Sequence, residues 1–216
     1  PDAYGGVLSG FFTDKNLAGL NYAIFPLVFA AFVRSAGVRW AIILLGGGAV
    51  YLTGSRTALF ALAAGVVWML VTRRLELLPR IGVASAIHFA YQYLEDNFAH
   101  VGQFAERVGS DLLRERIDAA SLAKIEAAPW YGYGLGTAVV EVEDRQWFFL
   151  NSFWALIAEG GVVLCVVMVG LVVWTIFLAR QPGGERTVPR ASIEGAGVVV
   201  LLCATRLGEV FFSVPM

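Results

Sequence analysis

Four arginines outside the apolar runs carry the strongest chemical signal: Arg56 in the turn TGSR, and Arg107, Arg114 and Arg116 within the polar stretch Leu94–Gly161. A guanidinium group binds phosphate oxygens in pairs and stabilises the negative charge that builds on a departing diphosphate, most strongly where water is scarce. Arg56 opens an apolar run, so the first amide groups of a helix there would add their own preference for anions. An arginine at that place can also simply snorkel to the membrane interface. The other three lie on a stretch where Phe104, Val108, Leu112, Ile117, Ala120 and Ile125 fall on one helical stripe. Such a helix would rest on a membrane with its arginines beside lipid phosphates, and for Arg107 and Arg114 a solvated or headgroup contact is the plain alternative. Pro129 ends the stripe, and Gly132, Gly134 and Gly136 follow as a flexible turn. With no preceding strand, this glycine run is not a dinucleotide fingerprint.

The elements that must position these groups are membrane helices. With 58% hydrophobic residues, 15% charged residues and a mean hydropathy of +0.69, the chain cannot cover its apolar surface as a soluble domain. A net charge of -1 excludes an electrostatic case for nucleic acid. Cys165 and Cys203 sit in apolar runs, so neither a disulfide framework nor a thiol metal site is indicated, and no cofactor is expected. The chain begins with Pro and without a secretory signal, and reads as a piece of a longer protein.

Six spans are expected: Leu17–Val33, Val38–Leu52, Thr57–Thr72, a diluted Ile81–Leu94, Asn151–Ala179 and Ala191–Phe212. The fifth would rise roughly 43 Å against a hydrocarbon core of roughly 30 Å, so its first turns should lie outside, with a bend at Gly160–Gly161. Arg34, Arg39, Arg73, Arg74, Arg80, Arg180, Arg186 and Arg190 then share one side, and only Lys15 and Arg56 mark the short segments of the other. The positive-inside rule places the first set in the cytoplasm and residues 95–149 outside. The expected fold is all-α, a polytopic membrane helix bundle of about six spans. Residues 1–94 hold four of them, 95–149 form an extracytoplasmic loop domain with one amphipathic helix, and 150–216 hold two.

Three segments would meet at the outer face: GFFTDKNLAGL (10–20), YLTGSRTALFALAAG (51–65) and the long loop. Their motifs resemble a family. SRTALFALAAG (55–65), R-x-x-x-A with P-x-x-G-x-G-x-G (116–136) and LNSFWALIAEGGVVL (150–164) look like the O-antigen ligase and Wzy-type polymerase superfamily. FTDKNLAG (12–19) is similar to the motif preceding that region in its exopolysaccharide polymerases. The resemblance implies an inverting, metal-independent glycosyltransferase in the bacterial inner membrane, working at its periplasmic face. It would act on an undecaprenyl-diphosphate-linked glycan, beside membrane lipid and other polysaccharide-assembly proteins. It also implies that Arg56 and Arg116 are catalytic, holding the diphosphate. Lys15, Asn16, Arg114, Asn151 and Arg206 are the candidate substrate-binding residues.

Two departures accompany the match. The histidine that precedes the asparagine in ligases is Leu150 here, and a tryptophan usual in the loop helix is Ala120. Leucine accepts no proton, so ligase chemistry would need another base. Glu143, Asp144, His100 and Asp14 are candidates, and a polymerase is favoured over a ligase that transfers glycan to lipid A-core. The contrasting class is a transporter or membrane scaffold, which would spread polar residues through the midplane. His88 alone hints at that, and a helix–helix hydrogen bond is its simpler reading. Arg206 and Glu209, three apart near the end of the last span, would pair with each other or line the substrate. Glu159 would brace the bend, and Trp130 and Trp147 would serve as interface anchors or sugar platforms.

Overall fold

The computed structural model describes residues 7–12, 14–97, 108–178, 187–208 and 210–211. Helices α1 (Lys15–Phe32), α2 (Ala36–Thr53), α3 (Arg56–Val71), α4 (Leu77–Asn97), α5 (Val108–Glu126), α6 (Ser152–Val173) and α7 (Val188–Ala204) account for most of it. Between α5 and α6 lies a hairpin of β1 (Val139–Val142) and β2 (Arg145–Phe148). The chain divides into two compact units. One contains α1 to α4 and α7. The other contains α5, the hairpin, α6 and the segment after α7.

Three helical stretches are long and apolar enough to cross a membrane: Ala36–Thr53, Arg56–Arg74 and Ser152–Leu178. The remaining described helices carry polar residues that lower their hydropathy. Lys15, Asn16 and Asn21 lie on α1, Arg80, His88 and Gln92 on α4, and Arg190 and Glu194 on α7.

In the first unit, small residues let helices approach closely. Gly19 of α1 faces Ser55 and Ala58, where an added Cβ would lie 2.9 and 3.0 Å from their Cβ atoms. Gly65 of α3 and Gly195 of α7 meet so closely that a Cβ on either would fall within 2.7 Å of the other's carbonyl oxygen. The turn TGSR is short because each residue ends or begins something. Gly54, at φ 64°, closes α2 in the left-handed conformation, and the Ser55 hydroxyl accepts from the Ala58 amide to cap α3. Asp14 caps α1 likewise, accepting from Asn16 N at 2.6 Å and Leu17 N at 2.9 Å.

At the far ends of these helices, Arg39 donates to the carbonyls of Ala30 and Val33, closing α1. Arg80 and Arg190 both donate to Glu194, at 2.6 and 2.9 Å, and Trp68 Nε1 reaches the same carboxylate at 3.2 Å. Arg80 also lies over the Trp68 ring at 5.3 Å. Arg80 is 2% and Glu194 0% exposed, so this pair is internal, while Arg190 is partly buried. These arginines were read from the sequence only as topology markers. The structure makes two of them partners of a buried acid.

In the second unit, Ile117, Ala138, Val140, Phe149 and Ala158 form a core, with Leu113, Ala120, Ile125, Trp147, Leu150 and Trp154 packed against it. The apolar stripe of α5 therefore runs through Leu113. Leu112, placed on it by the sequence reading, is 52% exposed, because the four-residue step back from Ile117 is Leu113. Phe104 and Arg107 lie outside the described residues. The hairpin corrects the all-α expectation. Its strands pair antiparallel with Val142 opposite Arg145, leaving Glu143 and Asp144 as a two-residue turn at φ 55° and 58°.

α6 bends at Gly161, whose φ of 73° and ψ of 179° break the helix as expected at Gly160–Gly161. The bend leaves helical carbonyls without their usual donors, and the glycine turn supplies replacements. Tyr133 N donates to Ala158 O at 2.7 Å and Gly134 N to Glu159 O at 2.9 Å, while Val162 N donates to Trp130 O. Glu159 Oε1 accepts from Gly136 N at 3.0 Å, which is the bracing expected of it. Beyond the bend, Val162, Val163, Val166, Val167 and Leu171 are all exposed, an apolar surface suited to lipid.

Candidate functional site

Lys15, Asn16 and Arg56 share one end of the first unit. Lys15 begins α1, Arg56 begins α3, and Gly19, one turn into α1, packs on Ser55 and Ala58. Leu8 N donates to Leu52 O at 2.9 Å and Phe12 stacks edge-on against Tyr22, which ties residues 7–12 to the same end. Two of the three segments expected to meet therefore do so. Arg34, Arg39, Arg73, Arg74, Arg80 and Arg190 gather at the opposite end, where α1 and α3 finish and α2, α4 and α7 begin. Arg180 and Arg186 lie outside the described residues.

An open apolar groove of about 450 Å³ lies between α3 and α4, lined by Phe60, Ala63, Val67, Ile87, Tyr91 and Leu94 among others. Arg56, Phe60, Ala63 and Val67 follow one another at four, seven and eleven residues and so share a face of α3. The groove thus leads toward the arginine along one helix face.

The second unit contains Arg114, Arg116, Asn151 and Arg206. Arg116 forms an ion pair with Glu143 at the hairpin turn, both side chains 61% exposed. Glu143, considered from the sequence as a base, instead holds an arginine. Asn151 caps α6, its Oδ1 accepting from Phe153 N at 2.9 Å and Trp154 N at 3.2 Å. α7 ends at Ala204, eight residues short of the expected span. The following segment folds onto the start of α6, where the Ser152 hydroxyl donates to Leu207 O and accepts from Val210 N at 3.0 Å. Gly208 fits there because a Cβ would collide with Phe149 O. Arg206 is consequently in a turn, not on a helix with Glu209, and Glu209 lies outside the described residues.

Arg206 and Arg114 both act electrostatically on Asp118, a residue the sequence reading did not single out. Burial pushes its carboxyl above the usual range, against the lowering pull of Arg206 and Arg114. The one available signal was spacing, since Arg114 precedes Asp118 by one helical turn. Lys124 was missed as well. Its ammonium donates to Thr137 O and Val139 O, both at 2.8 Å, and fastens α5 to the strand that follows the glycine turn.

Other expectations change. His88 is exposed and lies 3.4 Å from Gln92 on its own helix, so it makes no helix–helix bond; four residues apart on α4, the two side chains share one face. Asp14 is occupied as a helix cap, and His100 lies outside the described residues. Trp147 packs on the core and donates to Val142 O at 3.3 Å, whereas Trp130 is 72% exposed beside Tyr131. Leu150, at the ligase histidine position, is partly buried in the cluster that contains Ile117.

Comparison with curated proteins finds no match, and no solved structure matches either. A protein-family model described as O-antigen ligase matches residues 41–153, just over half of the chain, and so takes in Arg56, the whole of α5 with Arg116, the glycine turn and Asn151. With apolar helices long enough to cross a bilayer and this match across both units, the chain belongs to the O-antigen ligase family of integral membrane proteins.

Proposed function

We propose that the protein is a membrane glycosyltransferase that polymerises exopolysaccharide or O-antigen repeat units carried on undecaprenyl diphosphate. It works at the periplasmic face of the bacterial inner membrane, in contact with lipid and other polysaccharide-assembly proteins. What carries the reading is the family match, which contains both Arg56 and Arg116. Supporting it in the first unit, Lys15 and Arg56 stand apart from the arginine-rich end, the separation expected of an outer anionic-substrate face. α1, α4 and α7 complete six crossings, with polar groups on α4 and α7 turned to partners such as Arg80 and Glu194.

In this reading the carrier's hydrocarbon chain lies in the α3–α4 groove of the first unit with phosphate oxygens beside Arg56, and in the second unit the exposed Arg116 guanidinium, paired with Glu143, is a second anion-binding group. The acceptor hydroxyl attacks the anomeric carbon opposite the phosphate, inverting configuration without a metal. Leu150 favours polymerase over ligase, since a partly buried aliphatic side chain offers no imidazole to an acceptor. The test is glycan chain length in cells carrying Arg56→Ala or Arg116→Ala at matched protein level. Single repeat units without polymer are the expected result, and normal polymer from both variants refutes the diphosphate role.

A further inference from the structure

Residues 127–140 (AAPWYGYGLGTAVV) carry no charged side chain, whereas Glu141, Glu143, Asp144 and Arg145 crowd the hairpin that follows. Within the uncharged stretch Trp130, Tyr131, Tyr133 and Leu135 are exposed, Leu135 the most at 78%. Four large apolar side chains left outside on one turn mark an interaction surface, not scattered exposure. The turn is seated on α6 by Gly132, where a Cβ would come within 2.7 Å of Glu159 O. Gly134 and Gly136, at φ 104° and 79°, then carry the chain through open space.

The place of this turn on α6 says what the surface meets. The Trp130 carbonyl accepts from Val162 N at 3.2 Å, immediately after the break at Gly161. Up to the break Ser152, Leu156, Ala158 and Gly161 are buried; beyond it Val162, Val163, Val166, Val167 and Leu171 are exposed. Residues 162–178 would rise about 25 Å at 1.5 Å each, close to the roughly 30 Å of a hydrocarbon core. One edge of the bilayer then falls at Gly161, level with the turn, where the amphipathic rings of Trp and Tyr are favoured. A sugar platform would instead need polar side chains ready to meet hydroxyls. Around the turn these are engaged: the Thr137 hydroxyl donates to Gly134 O and the Tyr133 hydroxyl to Lys124 O. Lys124 donates to two carbonyls, and Glu159 accepts from Gly136 N.

We propose that the glycine turn is a membrane-interface anchor. Trp130, Tyr131 and Leu135 enter the boundary between headgroups and acyl chains, beside the start of the lipid-facing part of α6. Lys124 fastens α5 to the strand after the turn, so the anchor also sets the height of α5 relative to the bilayer surface. The occupant is the bilayer itself, and the inference holds whether or not the protein transfers sugar.

The test places the full-length protein in phosphatidylcholine vesicles and subtracts the emission of Trp130→Phe from that of the wild type, which isolates the Trp130 fluorescence. That component should be quenched by phospholipids brominated near the headgroup end of their acyl chains, and little by iodide in water. Leu135→Asp puts a charge where the anchor needs an apolar group. Measured with and without Trp130→Phe, it should shift the Trp130 emission to the red and open it to iodide. Its melting in detergent should match the wild type, because Leu135 is exposed. Quenching of wild-type Trp130 by iodide, with no effect of brominated lipid, overturns the proposal. So does protection of Trp130 from iodide by a soluble oligosaccharide, which would make the turn a glycan platform.

Discussion

Gly161→Ala is the substitution whose cost can be worked most directly from the geometry. At φ 73° and ψ 179° the residue occupies backbone space that is essentially reserved for glycine, so any side chain there costs about 1–3 kcal/mol. The added Cβ would also lie 1.9 Å from Trp130 O and 2.6 Å from Trp130 C and Tyr131 Cα. These are backbone atoms and cannot rotate away. Relief requires the glycine turn to lift from α6, losing the bonds from Val162 N to Trp130 O, Tyr133 N to Ala158 O and Gly134 N to Glu159 O. At about 1 kcal/mol each, added to the backbone strain, the total loss is about 4–6 kcal/mol. Gly170 on the same helix is the control, because a Cβ there meets nothing within 4 Å and alanine gains up to about 1 kcal/mol in a helix. Thermal unfolding in detergent should separate the two variants, and hydrogen exchange should show Tyr133 and Gly134 amides unprotected only in Gly161→Ala. Equal melting with both amides still protected would refute the account of the bend.

Two further outcomes concern buried charge. Glu194→Ala leaves Arg80 and Arg190 without their shared carboxylate, and breaking such a buried pair costs about 3–5 kcal/mol, measured as lost folded protein in detergent; a wild-type melting point would contradict it. Asp118→Asn should not destabilise. The folded pKa of Asp118 is raised, so its contribution to stability is fully present below the unfolded value and is lost as pH rises through the folded one. At neutral pH the wild type carries that penalty and the asparagine variant does not. Its melting point should equal or exceed wild type there, and the gap should close below about pH 4.

The helices were legible because apolar runs report burial or lipid directly, and the bend at Gly160–Gly161 because a run longer than the hydrocarbon core carries a glycine pair near its start. The hairpin was not. Its strands have four residues each, and Glu143–Asp144 replaces the Asn-Gly or Asp-Gly signature that a two-residue turn usually shows. Arg56 and Arg116 stood out through their place in motifs, and what they touch did not, since Glu143 follows Arg116 by 27 residues. Asp118 was hidden for a related reason. Its character comes from burial and from Arg206, which reaches it only because the last helix stops at Ala204 and the chain folds back.

The Arg80–Glu194 pair also dictates an order of biosynthesis. The two residues are 114 positions apart, so at about 5–20 residues per second the ribosome delivers the acid about 6–23 s after the arginine. Until then the Trp68 edge of α3 and the start of α4 carry a cation whose only compatible surroundings are wet. α4 can seat against α3 at this end only when α7 arrives, bringing Glu194 and, beside it, the Gly195 backbone that fits against Gly65. Translation stopped before codon 194 would therefore release a chain open at that end, a ready substrate for membrane quality-control proteases.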